Sequence, residues 1–578
     1  MAALKLVVIL SMSMAVLAAT PAQLVKVQPA TLSSGFGEMP LRYDWNRTGV
    51  AMATSNINTP HVRWTFMTNG TVAGGPITAD INKDGKMEIF LGEGRADTAS
   101  RKVYSLDYRG NLLWVKPVKW DVAAIGVADL NHYGRAEVIF SEMAHQPEGG
   151  LHLYVMEADD GSMVWSFTDY GVWEEGFSVG PIIYDVNNDG VDDITLGSMD
   201  AYAYTFSGSD GAILWQSPRF EHYIRASSPF YDINGDGEKD FVVWDNHGVT
   251  RVYSVKNHVL LWEKNLGYGT AMTPLIADLD GDKRPDIVFD SVLAPSGLQV
   301  LRADGSVMWA NTAYLMVYHS PTIAYVDGDN LPDVVIGDSG RHAITAFRGF
   351  DGTLLWETVL PAAWSQGPLV NADVDGDGVR EILVGSDSGL HVLNSLTGAI
   401  EWTYSVFKVR NEPKVVDIDG DGKAEILFGA GDGKMYVLDK APPPRFDPRT
   451  IGYWKHQCKI SEPGKAHVGI SQAFIDAIRS QSRVFSSLMT KEEACSILLG
   501  DYKSDMAGRA KQQLLALWLN VVSGFVDLTA PINLPKLTSA TTVGGAILDA
   551  ENLILTRTDK PSLERAKNIC DSLNNGIR

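Results

Sequence analysis

A nine-residue acidic loop recurs eight times along this chain of 578 residues, and each copy is followed by a short apolar run. The copies at 373–381 and 417–425 read Asp-Val-Asp-Gly-Asp-Gly-Val-Arg-Glu and Asp-Ile-Asp-Gly-Asp-Gly-Lys-Ala-Glu. Acidic side chains at loop positions 1, 3, 5 and 9, with the carbonyl oxygen of position 7, place oxygen ligands around one point. A ligand set made only of oxygen suits a hard cation, and we expect Ca²⁺.

Six of the loops carry a well-formed set of ligands, and their members are given by loop position. Position 1 holds Asp80, Asp185, Asp232, Asp278, Asp373 and Asp417. Position 3 holds Asn82, Asn187, Asn234, Asp280, Asp375 and Asp419. Position 5 holds Asp84, Asp189, Asp236, Asp282, Asp377 and Asp421. Position 7, which offers its carbonyl, holds Lys86, Val191, Glu238, Arg284, Val379 and Lys423. Position 9 holds Glu88, Asp193, Asp240, Asp286, Glu381 and Glu425.

The other two loops depart from the pattern. The loop at 129–137 has Tyr133 at position 5, and the loop at 325–333 has Tyr325 at position 1 and Asn330 at position 6. Each lacks a carboxylate that the other loops supply. Whether these two loops bind calcium is left open by the sequence.

The residues after each loop exclude an EF-hand. An EF-hand needs a bidentate Glu at position 12 and then a helix, whereas here the acid falls at position 9. The next residues are Ile-Leu-Val-Gly-Ser at 382–386 and Ile-Leu-Phe-Gly-Ala at 426–430, which are typical of short strands. Calcium held in this way joins two strands of one sheet, so we expect a structural role for it.

A tryptophan repeat runs in step with the loops, at intervals of 46 to 51 residues: Trp64, Trp114, Trp165, Trp215, Trp262, Trp309, Trp356 and Trp402. Most of these residues end a segment of the form strand, Asp/Gly turn, strand. One period therefore contains four strands, which is the size of a propeller blade. A large aromatic at one place in every blade favours packing between neighbouring blades over a row of sugar-binding platforms.

Eight periods predict an eight-bladed β-propeller over residues 60–440. After the last loop the chain supplies only the strands around 426–430 and 435–438 before Ala-Pro-Pro-Pro at 441–444. The missing outer strand is available at 62–66, which contains Trp64. We predict that this segment pairs with 435–438 and closes the ring, because closure removes exposed strand edges.

These two repeats resemble known propeller families. The Asp-x-Asp-x-Asp-Gly-x-x-Asp/Glu loop is similar to the FG-GAP/VCBS repeat of integrin-α-type propellers, and the hairpin ending in Gly-x-Leu/Ile-x-Trp resembles the repeat of PQQ-like eight-bladed propellers. The resemblance covers roughly 60–440 and implies a mainly β fold with calcium-binding loops. It does not imply an activity.

The N-terminus predicts export. Residues 1–22 have a short basic start, an apolar stretch and small residues at a cleavage site, as in a signal peptide, and 23–59 form an N-terminal extension. The apolar stretch is short for a membrane span, so we expect no transmembrane segment after signal removal and a secreted or cell-surface location. Two sequons, at Asn46 and Asn69, are compatible with glycosylation. The net charge of −21 disfavours a nucleic-acid partner.

The C-terminal part changes to helical spacing of its apolar residues. After a Pro-rich linker at 441–449, residues 450–578 predict a small α-helical domain with four or five helices. The predicted helices cover 471–482, 490–499, 506–525, 542–555 and 562–574. The start of this domain, Gly-Tyr-Trp-Lys at 452–455, resembles a domain attached to secreted and cell-surface proteins of microbes. Its three cysteines, Cys458, Cys495 and Cys570, allow one disulfide, whose pairing the sequence leaves open.

Three function classes fit these observations. The first is a non-catalytic, calcium-stabilised interaction or adhesion module for a cell-surface protein or glycan. The second is a polysaccharide lyase, since propellers resembling rhamnogalacturonan lyases carry similar loops, although no cluster of Lys, Arg and His is evident. The third is a PQQ-type quinoprotein, which usually needs a vicinal cysteine pair that 60–440 lacks. Five histidines, His132, His145, His222, His258 and His319, lie at different repeat phases and predict no triad. We therefore predict binding without catalytic residues.

Overall fold

The computed structural model describes residues 48–577, except 69, 95–100, 144–149, 170–175, 178–179, 225–227, 268–272, 291–296, 314–319, 362–366, 442–445, 459–469 and 489. The signal peptide, most of the N-terminal extension, both sequon asparagines, His145 and His319 lie outside the described residues. The described chain divides into two compact units, at residues up to Lys440 and from Ala441 onward.

The first unit contains eight antiparallel blades of four strands, which confirms the fold prediction. Blades 1 and 2 contain β3 (Val72–Ala79), β4 (Glu88–Glu93), β5 (Arg101–Leu106), β6 (Leu112–Val118), β7 (Asp121–Ala128), β8 (Glu137–Met143), β9 (Leu151–Glu157) and β10 (Met163–Asp169). Blades 3 and 4 contain β11 (Ile182–Tyr184), β12 (Asp193–Gly197), β13 (Ala203–Phe206), β14 (Ile213–Gln216), β15 (Phe230–Tyr231), β16 (Asp240–Trp244), β17 (Val249–Ser254) and β18 (Leu260–Asn265).

The remaining blades follow in chain order. Blades 5 and 6 contain β19 (Leu275–Ala277), β20 (Asp286–Asp290), β21 (Leu298–Arg302), β22 (Val307–Asn311), β23 (Thr322–Ala324), β24 (Asp333–Asp338), β25 (Ala343–Phe347) and β26 (Leu354–Val359). Blade 7 contains β27 (Val370–Asp373), β28 (Glu381–Ser386), β29 (Gly389–Asn394) and β30 (Ile400–Ser405). Blade 8 contains β31 (Lys414–Val416), β32 (Glu425–Gly429), β33 (Lys434–Lys440) and, from the other end of the unit, β2 (Pro60–Met67).

The ring closes as the sequence predicts. Strand β2 pairs antiparallel with β33, and the register places Trp64 opposite Val437 and Met67 opposite Lys434. Because the last blade takes its outer strand from the start of the propeller, opening the ring requires that eight-residue pairing to break.

One strand was not predicted. Residues 48–59 were assigned to an extension, but β1 (Val50–Thr54) pairs in parallel with β27 and makes blade 7 a five-stranded sheet. The segment also contacts both neighbouring blades, since the carbonyl of Thr48 accepts from the N–H of Ile323 and the Ser55 hydroxyl donates to the carbonyl of Ala424. Ala51 and Ile57 are fully buried. The segment therefore lies on the inner edge of blade 7, beside the innermost strands of blades 6 and 8.

The hydrophobic core lies between neighbouring blades. The second strands, such as β4, β16 and β28, are buried along their whole length, whereas the outer strand β30 alternates between exposed and half-buried residues. Each core cluster combines side chains of two adjacent blades. An example is the cluster of Phe90 and Trp114 from blade 1 with Val127 and Phe140 from blade 2.

The second unit contains six helices. They are α1 (Ile451–Gln457), α2 (Gln472–Gln481), α3 (Lys491–Leu499), α4 (Met506–Val522), α5 (Val543–Thr556) and α6 (Lys560–Asn574). Five match the predicted helices, and α1 was missed because it is only seven residues long and carries a glycine in its first turn. The predicted capping box of Thr490 with Glu493 is present at the start of α3. Helix α4 is the central element, and most of its residues are buried.

The buried Asn520 side chain in the helical unit has hydrogen-bond partners for both its oxygen and its amide N–H groups. Asn520 accepts hydrogen bonds from the indole N–H of Trp454 and the backbone N–H of Arg449, and it donates to Asn574.

A disulfide joins Cys458 to Cys495, which resolves the pairing that the sequence left open. Cys570 is a buried free thiol, and burial raises its pKa.

Candidate metal sites on one face of the propeller

The acidic loops join the first strand of each blade to its second strand. In blade 7, for example, β27 ends at Asp373 and β28 begins at Glu381. Because the first strands of all blades run in the same direction around the ring, the loops lie on one face. Position 9 of each loop is the first residue of the buried second strand, and its carboxylate is therefore taken out of solvent.

The position 9 carboxylate has the same hydrogen bond in all eight blades. One of its oxygens accepts from the backbone N–H of loop position 2, over distances of 2.7 to 3.1 Å. In blade 7 the donor is Val374 and the acceptor is Glu381. This bond fixes one carboxylate oxygen on the backbone of the loop. In blades 3 and 6 the other oxygen accepts from the backbone N–H of Gly208 and Gly349.

Burial raises the pKa of these carboxyl groups, because their charged form is desolvated. The pKa is raised to about 8 in Glu381 and Glu425, to about 7 in Glu88, Glu137 and Asp286, and to about 6 in Asp193, Asp240 and Asp333. Nearby loop carboxylates add to the shift in blade 7, where Asp375 and Asp373 raise the pKa of Glu381 further. Such a crowded set of acids is stabilised when a cation neutralises it.

The position 1 aspartate organises the backbone of the loop. Oδ1 of Asp417 accepts from the N–H groups of Gly420 at 2.8 Å and Asp421 at 3.2 Å, and Oδ2 accepts from Gly422 at 2.7 Å. Gly422, at position 6, has a φ of 83°, the left-handed conformation that a glycine adopts without strain. In the loop at 278–286 position 6 is Lys283, which takes the same left-handed conformation with a φ of 67°. This loop has the full set of carboxylates but lacks the glycine that adopts this conformation without strain.

Three loops bring carboxylate oxygens together closely enough to hold a metal ion. The groups are Asp278, Asp280 and Asp282; Asp373, Asp375 and Glu381; and Asp417, Asp419 and Glu425, with ligand atoms within 4.8 Å of one another. In the loops at 80, 185 and 232, position 3 is an asparagine whose amide N–H donates to a carboxylate of its own loop. In these three loops no three acids come within that distance of one another among the described residues.

A buried carboxylate oxygen in the blade 7 loop also favours a bound cation. Oε1 of Glu381 is buried and has no hydrogen-bond partner among the described residues, and the same holds for Oδ1 of Asp240 in the blade 4 loop. A buried carboxylate oxygen without a partner is costly. A cation bound by the loop would satisfy it.

The blade 8 loop has a different neighbour. Arg63, on the closing strand β2, donates from Nη2 to Oδ2 of Asp419 at 2.6 Å and from Nη1 to Oε1 of Glu425 at 2.8 Å. Sequence analysis missed this residue, since nothing in the motif indicates which distant strand packs against the loop. Arg63 and a cation would share the same carboxylate oxygens.

The two irregular loops lack a full ligand set. Tyr133, at position 5 of the loop in blade 2, is exposed and offers no carboxylate. In the blade 6 loop, Asp327 is bound by the Arg348 guanidinium at 2.7 Å, and Tyr325 occupies position 1.

The three described histidines of the five, His132, His222 and His258, do not converge on one site. His132 lies in the blade 2 loop, 3.5 Å from Asp192, while His222 stacks on His247 and His258 stacks on Trp215. His391, which sequence analysis passed over, is fully buried and binds Ser386 and Thr403 through its two ring nitrogens. It has a hydroxyl where a catalytic triad needs a carboxylate.

Comparison with known proteins identifies two family matches. The FG-GAP-like repeat matches residues 232–289, and the outer membrane protein assembly factor BamB matches residues 296–441. These matches cover different parts of the propeller and together support the propeller resemblance. No curated protein sequence matches this chain.

Solved structures with the same fold share little sequence. Quinohemoprotein alcohol dehydrogenase from Comamonas testosteroni is 12% identical, with a TM-score of 0.52 over 94% of this chain and 96% of that one. The V. cholerae biofilm matrix protein Bap1 is 16% identical, with a TM-score of 0.50 over 66% of this chain and 91% of its own. BamB from Moraxella catarrhalis is 14% identical, with a TM-score of 0.45 over 66% of this chain and 98% of its own. The similarities to the dehydrogenase and to Bap1 show the fold alone. No helix in the described part of the chain has the length and apolarity needed to cross a bilayer.

Proposed function

We propose that this protein is an exported, calcium-stabilised propeller that binds a cell-surface protein or glycan without changing it chemically. The observation that carries the proposal is the convergence of Asp373, Asp375 and Glu381 around a buried carboxylate oxygen that has no partner in the described structure. The same loop motif recurs around the ring, so the cation supports the scaffold as a whole.

In this proposal Ca²⁺ is held by positions 1, 3, 5 and 9 of each well-formed loop and by the carbonyl of position 7. It neutralises carboxylates that burial otherwise leaves with a raised pKa, and it joins the first and second strands of a blade. Extracellular calcium concentrations are high enough to fill loops of modest affinity. Export is supported by the basic and apolar start of the sequence.

An interaction role is supported by what the propeller offers and by its structural neighbours. A rigid ring presents many loops on one scaffold, which is a common basis for recognition. One structural neighbour is described as a biofilm matrix protein, and the family model that matches residues 296–441 is described as an outer membrane protein assembly factor. These descriptions apply to those proteins, and they make a surface interaction the natural hypothesis for this one.

A polysaccharide lyase is the second candidate, because its chemistry also uses a calcium propeller. It requires a base near the bound polymer, and the described histidines are dispersed or buried. A quinoprotein is less well supported, since the three cysteines of the chain all lie after residue 440 and a vicinal pair is absent from the sequence.

The test measures binding of a polysaccharide and its cleavage in the same sample. The full chain, in calcium, is incubated with pectin-like and bacterial surface polysaccharides, and bound polymer and ultraviolet absorbance of unsaturated sugar products are measured together. We expect retention of a ligand and no absorbance increase. Release of unsaturated products that chelator abolishes would replace the binding proposal with the lyase.

A further inference from the structure

Six junctions between neighbouring blades share one contact. The ring of a tryptophan lies against the turn glycine of the next blade, so close that a Cβ on that glycine would stand 2.5 to 3.4 Å from the ring. The glycines are Gly110, Gly161, Gly211, Gly305, Gly352 and Gly398. The indole N–H of each tryptophan also donates to a backbone carbonyl of that neighbouring blade. These tryptophans are used in packing, as the sequence predicts.

The junction between blades 3 and 4 is different. The position of the turn glycine is taken by His258, which keeps the left-handed backbone with a φ of 54°. Its imidazole stacks on Trp215, with ring centroids 4.4 Å apart and planes at 16°. Nε2 of His258 lies 3.0 Å from the Thr205 hydroxyl of blade 3, and burial lowers the pKa of His258 to about 4. A neutral imidazole thus separates Trp215 from the turn.

A cleft of about 580 Å³ lies at this junction, and its size is in the usual range for small-ligand sites. Its lining includes Trp215, Gln216, Arg251, Tyr253, Leu260 and Glu263. Gln216, Leu260 and Glu263 are exposed at its edge, whereas Tyr253 is 2% exposed.

The polar groups of the cleft are arranged around the aromatic rings. The hydroxyl of Tyr253 is buried, which raises its pKa, and the neighbouring Arg251 guanidinium opposes that rise. Arg251 is fixed by Glu263 at 2.7 Å and by the carbonyl of Pro218 at 2.8 Å.

We propose that this cleft binds a single sugar unit of a glycan. A sugar ring has an apolar face of C–H groups, which suits the indole and the leucine, and a rim of hydroxyls, which can add hydrogen bonds to the amide of Gln216 and to the ion pair of Arg251 with Glu263. A phosphate would meet the carboxylate of Glu263 at the edge. The inference deepens the proposed function and rests on it, since it names a glycan and places it on the outer strands, away from the loops rimming the central funnel.

The test uses variants with a matched control. His258→Gly restores the residue of the regular junctions, and Glu263→Gln removes a charge after Trp262. Glu357→Gln is the control for the second variant, because Glu357 follows Trp356 at a regular junction and pairs with Arg341 as Glu263 pairs with Arg251. The probes are an array of bacterial and plant polysaccharides and, for calorimetry, the methyl glycosides of glucose, galactose, rhamnose and N-acetylglucosamine.

We expect the full chain to bind at least one probe, His258→Gly and Glu263→Gln to weaken binding at least tenfold, and Glu357→Gln to leave it unchanged. Glu263→Gln and Glu357→Gln should keep their melting temperatures. His258→Gly should remain folded, since glycine adopts the backbone conformation at 258 without strain, but should melt at a lower temperature because it loses the stacking on Trp215 and the contact with Thr205. Absence of binding to every probe, or equal loss in Glu263→Gln and Glu357→Gln, would overturn the inference. Glycan binding that survives both cleft variants would also overturn it while leaving the proposed function in place.

Discussion

The loops of blades 7 and 8 have nearly the same sequence but different surroundings. In blade 7, Oε1 of Glu381 has no hydrogen-bond partner among the described residues, and β1 packs against the loop through the backbone of Asp373 and Val374. In blade 8, the corresponding oxygen of Glu425 accepts from Arg63 at 2.8 Å. The blade 7 acids accept no hydrogen bond from a guanidinium among the described residues, because Arg380 of that loop donates to the backbone carbonyls of Ala51 and Asn371. The blade 8 acids Asp419 and Glu425 both accept from Arg63.

The difference shows that a ligand motif predicts which acids line a site but not which positively charged side chains lie beside them. The counter-charge in blade 8 comes from a strand more than 350 residues away in sequence, and it is present because that strand closes the ring. We expect the blade 7 loop to bind calcium more tightly than the blade 8 loop, where the ion competes with a guanidinium.

The largest expected effect is a pH dependence that calcium reverses. The pKa of Glu381 and of Glu425 is about 8 in the folded protein without metal, above the ordinary value of 4.5. A raised pKa contributes stability below about pH 4.5 that is lost as the pH rises through about 8. In excess chelator, the free energy of unfolding should therefore fall by on the order of several kcal/mol between pH 5 and pH 8.

Calcium should prevent this decrease in the free energy of unfolding, because the bound ion neutralises at high pH the carboxylates that protons neutralise at low pH. Denaturant titrations at several pH values, with chelator and with calcium, measure the effect. Glu381→Gln should reduce the slope in chelator, and Arg63→Met should steepen it, because Glu425 then loses its counter-charge. A slope that is the same with and without calcium would contradict the account of both loops.

The next prediction tests whether the segment that contains β1 stabilises the acidic loop of blade 7, which has no equivalent of Arg63 among the described residues. Ile57 is fully buried just after β1, and its backbone N–H donates to the carbonyl of Val374. Ile57→Ala should cost about 2–5 kcal/mol in the free energy of unfolding and should weaken calcium binding in blade 7. Met52→Ala is the control, because Met52 lies on β1 five residues earlier and is 52% exposed, and it should change stability by less than about 0.5 kcal/mol. Equal effects of the two variants would show that β1 does not support the loop.

A smaller effect tests the counter-charge itself. Arg63→Met leaves Asp419 and Glu425 without their partner, so the protein without calcium should lose about 1–3 kcal/mol, less than for a fully buried ion pair because Arg63 is 25% exposed. In calcium the variant should recover, and the blade 8 loop should bind the ion more tightly. Arg341→Met removes a more exposed ion pair with Glu357 and should change stability by about 1 kcal/mol or less. Weaker calcium binding in Arg63→Met would mean that the guanidinium assists the ion.

Much of the propeller could be predicted because two repeats with different chemistry keep the same period. The loop acids and the tryptophans fixed the number of blades, and the missing strand at the end pointed to Trp64 for closure. Strand β1 could not be predicted, since its five residues carry no repeat and its pairing depends on the inner edge of a complete ring. Helix α1 is short and begins beside a glycine, so its periodicity is weak.

The candidate sites were predicted only in part. The motif predicts Asp373, Asp375, Asp377 and Glu381 as ligands of one ion, and the carboxylate oxygens of Asp373, Asp375 and Glu381 lie within 4.8 Å of one another. It gave no sign of Arg63 or of the left-handed Lys283. The contact of His258 with Trp215 was also invisible, since a single histidine in a turn does not reveal which blade its ring meets.

The central claim is that calcium occupies the acidic loops and stabilises the ring. The most direct measurement is metal analysis of the purified full chain combined with its melting temperature before and after excess chelator. We predict that calcium copurifies with the protein, that chelator lowers the melting temperature, and that added calcium restores it, since a ligand that binds only the native state stabilises it by mass action. A protein that contains no calcium and melts at the same temperature in chelator and in calcium would contradict the account.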